Sequence, residues 1–195
     1  MVEGIVQKTG YNALHLDYSG HGNDTYNWEE ISAAQQFIEV INAFDWITDK
    51  TKEAKIVVFG TSFGGYLATQ LTKYRRFDKL VLAAPAIYPA DSFYEAAADT
   101  HNGGDGSVTK LRNDSDALIS HPLIKRAASR FDNPVLVVVH ENDEAIPATT
   151  TDAYIKAFGA DKAIMHGLPH STEEPDIENE VLDEYQSIIA EWLKK

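Results

Sequence analysis

The sequence predicts an α/β fold, a mainly parallel sheet of about five strands flanked by helices, and three observations carry that prediction. Five short runs are continuously apolar, at 12–18, 55–60, 79–85, 134–140 and 162–168, as strands covered on both faces require. Amphipathic stretches with helical spacing separate most of them. The alternation of strand and helix then argues for parallel pairing, because parallel neighbours need a crossover between them. A chain of 195 residues with 44% hydrophobic content is long enough to bury one core, so a single domain spanning 1–195 is expected.

Taken in order, the first run is NALHLDY (12–18), which ends in the turn-forming SGHG. The segment WEEISAAQQFIEVINAFDWITDK (28–50) follows, and it spaces Ile31, Phe37, Ile38, Ile41, Phe44 and Trp46 as a buried helical face would. KIVVFG (55–60) runs into a serine bracketed by glycines and then into a second helical pattern. KLVLAAP (79–85) is the next strand. The connection at 86–133 is longer than a crossover needs and holds the turn-rich HNGGDGS, so it reads as an inserted lid. Its Tyr88, Phe93 and Tyr94 either line an apolar pocket or pack the lid onto the body. PVLVVVH (134–140) and KAIMHGL (162–168) supply the last strands. EVLDEYQSIIAEWLKK closes the chain as a helix, with Leu182, Ile188, Ile189 and Leu193 on its apolar side.

Charge and composition narrow the partners. Lys and Arg total 17 against 30 Asp and Glu, a formal charge of −13 with pI near 4.8, which repels phosphate backbones and anionic membranes. No nucleic acid and no membrane partner are expected. The chain has no cysteine, which removes disulfides, thiol nucleophiles and thiolate metal sites. No basic leader and no apolar run of spanning length is present, so a soluble cytoplasmic protein is expected. Asn23-Asp24-Thr25 and Asn113-Asp114-Ser115 fit the glycosylation pattern but read more simply as turns.

The chemistry concentrates at Gly60-Thr61-Ser62-Phe63-Gly64. A strand that turns sharply into a helix strains its middle residue, and glycines flank it because a Cβ there would collide with neighbouring backbone. A serine so placed is exposed at the carboxyl edge of the sheet with the positive end of a helix behind it. The alternative is a tight turn whose serine only caps the helix. A nucleophilic serine needs a base, and His170 lies on the loop after the last strand, at the same sheet edge. His166 is closer to the strand and is expected to be packed or to contact backbone. With Pro169 between them, His166 and His170 make a poor zinc pair, so no metal is expected. The base needs a carboxylate to fix its tautomer. Asp143 is the choice, at a tight turn whose exit Pro147 fixes; Glu141 is the reserve, and Glu144 reads as a solvated charge.

Ser62, Asp143 and His170, in that chain order, together with Asp17, Gly20, His21 and Gly22 after the first run, resemble the α/β-hydrolase superfamily, and its serine esterases in particular. The resemblance covers nearly the whole chain outside the lid at roughly 86–133. It lacks the usual N-terminal strands, including the one whose loop normally gives an oxyanion donor. The resemblance implies a truncated hydrolase-like fold and a carboxylesterase that cleaves small acyl esters through an acyl-enzyme, with catalytic Ser62, Asp143 and His170. The Phe63 N–H would serve as oxyanion donor, and no cofactor is implied. The strand at 12–18 is expected to move beside 55–60, and a backbone N–H from residues 19–22 to replace the lost donor. The alternative is a catalytically impaired hydrolase fold kept as a binding or assembly module. The expected partner is a small-molecule ester, and the exposed sheet edge would allow a homodimer.

Overall fold

The computed structural model describes residues 1–22, 24, 28–101, 106–172 and 177–195. Residues 102–105 of HNGGDGS, and Asn23 and Thr25 of the first Asn-Asp-Thr triplet, lie outside the described residues. Four strands form one parallel sheet in the order β1 (Val57–Thr61), β2 (Lys79–Ala83), β3 (Val135–His140) and β4 (Asp161–Met165). Val58 lies opposite Leu80, Leu80 opposite Val135, and Val138 opposite Ala163.

Nine helices surround this sheet among the described residues: α1 (Val2–Thr9), α2 (Ala33–Thr51), α3 (Phe63–Leu71), α4 (Ala97–His101), α5 (Ser107–Arg112), α6 (Ser115–Ser120), α7 (Pro122–Ala128), α8 (Ala148–Phe158) and α9 (Asn179–Lys194). Alternation along the strands sorts the core into two faces. Leu80, Leu82, Val135, Val137 and Val139 pack with the crossover helices α3, α7 and α8, joined by Phe37 and Phe44 of α2. Val81, Ala83, Leu136 and Val138 face the other way, onto Ile5 of α1 and onto Tyr185, Ile189, Trp192 and Leu193 of α9. Successive strands laid down in one direction with right-handed crossovers put every connecting helix on one side. The second side is left to the two terminal helices. Leu80 and Leu82 are wholly buried, a contribution of about 2 kcal/mol each.

The run at 12–18 forms no strand, so the sheet has four strands and β1 is its edge. Among the described residues, 12–17 make no hydrogen bond, and Leu14 and Leu16 are exposed. The run has no β-branched residue to favour extended pairing. The turn after it is fastened elsewhere: the Ser19 N–H and hydroxyl both donate to the Glu39 carboxylate of α2. The start of α2 is set by a capping box between Ser32 and Gln35. Of its predicted apolar face, Phe37 and Phe44 are buried, whereas Ile38 and Trp46 are exposed.

Between β2 and β3 lie a 3-10 turn at Asp91–Tyr94 and helices α4 to α7. Leu118, Leu123, Ile124 and Ala127 of this connection are buried in the main core. Tyr88 is buried too, while Tyr94 is 78% exposed.

Candidate active site

The site begins at the junction of β1 and α3. Ser62 has φ 50° and ψ −116°, one of three non-glycine residues with positive φ among those described. A side chain pays to sit there, and the surrounding backbone holds it in place. The Ser62 N–H donates to the Ala83 carbonyl of β2, and the Ser62 carbonyl accepts from Ala86 N–H, both at 2.9 Å. Of the two glycines that bracket the serine, Gly60 is a steric necessity and Gly64 is not. A Cβ on Gly64 would meet only the Tyr18 hydroxyl at 3.2 Å, and it is Gly65, one residue on, that has no room for a side chain. A Cβ on Gly60 would lie 2.4 Å from the Gly64 carbonyl oxygen, and one on Gly65 would lie 2.9 Å from the Pro85 ring. Gly60→Ala is therefore expected to destabilise the fold by about 3 kcal/mol, measured as a shift in the urea midpoint with the slope unchanged.

Ser62 Oγ lies 2.9 Å from Nε2 of His170, and His170 Nδ1 lies 2.8 Å from Oδ2 of Asp143. The carboxylate can only accept, so Nδ1 carries the ring proton and donates it. Nε2 is then the acceptor for the Ser62 hydroxyl. The Asp143 side chain is 2% exposed and that of His170 is 24% exposed. The second Asp143 oxygen accepts from the Ala145 N–H at 2.9 Å and from the Ile146 N–H at 2.7 Å. Burial alone would push the Asp143 carboxyl up. The bonds from His170, Ile146 and Ala145 outweigh burial and hold it below its ordinary value of 3.8.

The other candidates fall elsewhere. Glu141 accepts from the Gly167 N–H and lies 3.1 Å from His166 Nδ1, so the reserve carboxylate and the second histidine pair with each other at the surface. His166 was expected to be packed or held by backbone; it is exposed, because Gly167 with φ 72° turns the chain outward just after β4. Glu144 is exposed. Phe63 is the first residue of α3, so its N–H lies at the positive end of the helix.

In the turn at residues 19–22, two backbone N–H groups are taken, Ser19 by Glu39 and His21 by the Tyr18 carbonyl. The turn nonetheless lies against the elbow. The His21 and Phe63 rings stack at 6.0 Å with 4° between their planes, and a Cβ on Gly64 would meet the Tyr18 hydroxyl at 3.2 Å. Phe63 also lines a narrow cleft with Ala33, Gln36, Tyr66, Tyr88 and Ser92.

Sequence reasoning passed over His140. It is buried at the end of β3, with Nδ1 2.9 Å from the Pro169 carbonyl and Nε2 3.4 Å from the Tyr185 hydroxyl. Burial pulls its imidazole below the ordinary value, so the neutral ring donates to Pro169 and steadies the loop that carries His170. The signal was a polar residue closing an otherwise apolar strand. Gln36, buried beside Phe37 on α2, and the half-buried Glu39 anchor the turn at 19–22, and as polar residues within a helical pattern they left no sequence signal.

A model of the serine aminopeptidase family, S33, matches residues 5–102, half of the chain, including the turn at 19–22 and the Ser62 elbow. The chain belongs to the serine aminopeptidase S33 family. This is an α/β-hydrolase family of serine hydrolases, in agreement with the parallel sheet described above. A search of the curated proteins returned no match. Solved structures similar to this S33 chain include an esterase from Pyrococcus furiosus, with TM-score 0.67 and 16% identity over 99% of this chain and 74% of that one. An α/β serine hydrolase homologue from Coxiella burnetii has TM-score 0.63 and 15% identity over 98% and 75%. A monoacylglycerol lipase from Paleococcus ferrophilus has TM-score 0.57 and 21% identity over 91% and 80%. At these identities the likeness is one of fold. Among the described residues no helix is long and apolar enough to cross a membrane.

Proposed function

We propose that the protein is a carboxylesterase acting on small acyl esters, with Ser62 as nucleophile, His170 as general base and acid, and Asp143 as the residue that orients His170. The observation that carries this reading is the unbroken hydrogen-bonded chain from Ser62 Oγ through the His170 ring to buried Asp143. The Ser62 oxygen attacks the ester carbonyl carbon while its proton passes to His170 Nε2. The resulting oxyanion is met by the Phe63 N–H. Collapse expels the alcohol, which leaves with the proton from Nε2, and the acyl group stays on Ser62. Water then repeats the sequence and releases the acid. Phe63, Tyr66 and Tyr88 crowd the space beside the elbow, which favours a small acyl group, and the connection at roughly 86–133 would act as the lid. The choice of ester over peptide rests on this narrowness and on an alcohol being an easier leaving group than an amine.

The test is fluorophosphonate labelling of the purified chain, with intact mass and peptide mapping. One adduct per chain, on the peptide carrying Ser62, is the expected outcome. A folded chain that takes no label refutes the esterase and supports a binding module instead.

A further inference from the structure

The esterase reading leaves the oxyanion with one named donor, whereas such sites commonly aim two at the developing charge. The geometry points to the side chain of His21, through its Nε2–H, as the second donor. This inference rests on the serine hydrolase reading of Ser62.

The proton's position follows from the neighbours. Gln36 Nε2 lies 2.9 Å from the Ser19 carbonyl oxygen and 3.2 Å from His21 Nδ1. A carbonyl only accepts, so this atom of Gln36 is the amide nitrogen, and it donates to both. Nδ1 of His21 is then an acceptor, and in the neutral ring the proton sits on Nε2. Among the described residues that Nε2–H has no hydrogen-bond partner.

The ring is also held still. Ser19 is fastened to Glu39 on one side and to Gln36 on the other. A Cβ on Gly20, at φ 81°, would lie 2.7 Å from Trp28, and one on Gly22, at φ 62°, would lie 2.4 Å from the Asp17 carboxylate. The turn therefore has one tight conformation that only glycine permits at two of its positions. Its imidazole lies flat on Phe63, the residue that follows the nucleophile, with Tyr18 edge-on to both rings. Gln36, which sets the tautomer, lines the same cleft as Phe63. His21 is exposed, and its ring, braced on Phe63, carries a donor that no described group takes up, beside the residue whose backbone meets the oxyanion, where preorganised stabilisation is needed.

The experiment separates donor from packing. His21→Phe keeps a flat ring on Phe63 and removes the donor; His21→Gln keeps an N–H at similar reach and removes the ring. With p-nitrophenyl acetate, His21→Phe should lose about 100 to 1000-fold in kcat with KM little changed. His21→Gln should recover most of that loss. Thermal midpoints of the two variants establish that both are folded. A His21→Phe protein within threefold of the parent, or a folded His21→Gln protein as slow as His21→Phe, overturns the inference while leaving Ser62 in place. A parent chain with no turnover, or a Ser62→Ala protein with full turnover, overturns both readings.

Discussion

Ser62→Ala should reduce ester turnover on the order of 10⁶-fold and abolish fluorophosphonate labelling, with the fold intact. The size follows from the loss of the only atom that bonds to the acyl group. His170 then has no hydroxyl to deprotonate, and what survives is the weak help of oxyanion donors acting on attack by water. The fold should persist because the elbow is held by main-chain bonds. Ser62 N–H to Ala83 and Ser62 carbonyl from Ala86 are indifferent to the side chain, and Oγ adds only the contact with His170. Hydrolysis of p-nitrophenyl acetate, circular dichroism and thermal midpoint together check this. Turnover within tenfold of the parent would remove Ser62 from the mechanism.

Asp143→Asn should cost about 10⁴-fold in kcat, for a reason written in the surrounding backbone. One carboxylate oxygen accepts from two N–H groups, Ala145 and Ile146. An asparagine keeps its carbonyl there, since the amide nitrogen would face two donors. That leaves the NH₂ group toward His170, which must present a bare Nδ1 and carry its proton on Nε2. In that tautomer it cannot accept the Ser62 proton. The same substitution changes acid stability. The Asp143 carboxyl is held below 3.8 in the folded chain. Its stabilisation is therefore complete above that pH and is lost as pH falls through the lower folded value. Urea midpoints should show the parent ahead of Asp143→Asn at pH 6, with the gap closing toward pH 3. A gap that stays constant across that range would mean the charge of Asp143 contributes nothing to the fold.

The parts of this molecule legible in its sequence are those where chemistry and backbone geometry coincide. Four of the five apolar runs became β1 to β4; β2 and β3 lie inside the sheet, buried on both faces and almost wholly apolar, while β1 and β4 are its partly buried edges. The elbow announced itself through Gly60, where the Gly64 carbonyl leaves no room for a Cβ, whereas the second glycine of the pattern, Gly64, is not sterically demanded and the tight position is its neighbour Gly65. Ser62, His170 and Asp143 could be picked out in the chain because each follows a strand at the same sheet edge. The run at 12–18 misled because it reads as continuously apolar although Asn12, His15 and Asp17 interrupt it, and an apolar run says nothing of whether a partner edge is reached. Ile38 and Trp46 misled differently: helical spacing marks apolar positions but not which of them a neighbour covers, and these two are exposed. The links from Gln36 to His21 and from His140 to Pro169 join residues 15 and 29 positions apart. Neither has a local pattern, so only the folded chain reveals them.

The division of labour between the two faces of the sheet bears on how this protein is made. Every crossover helix lies on one side, so that side can close piece by piece as the chain emerges from the ribosome. The opposite side, with Val81, Ala83, Leu136 and Val138, is covered by α1 and α9, and these two helices also pack on each other. Helix α1 precedes the sheet in the chain and finds its neighbour only when residues 179–194 exist. At roughly 5 to 20 residues per second, half of the sheet stands bare for several seconds after its last strand has been translated. Loss of α9 would leave that face, with Val81, Ala83, Leu136 and Val138, open to other chains.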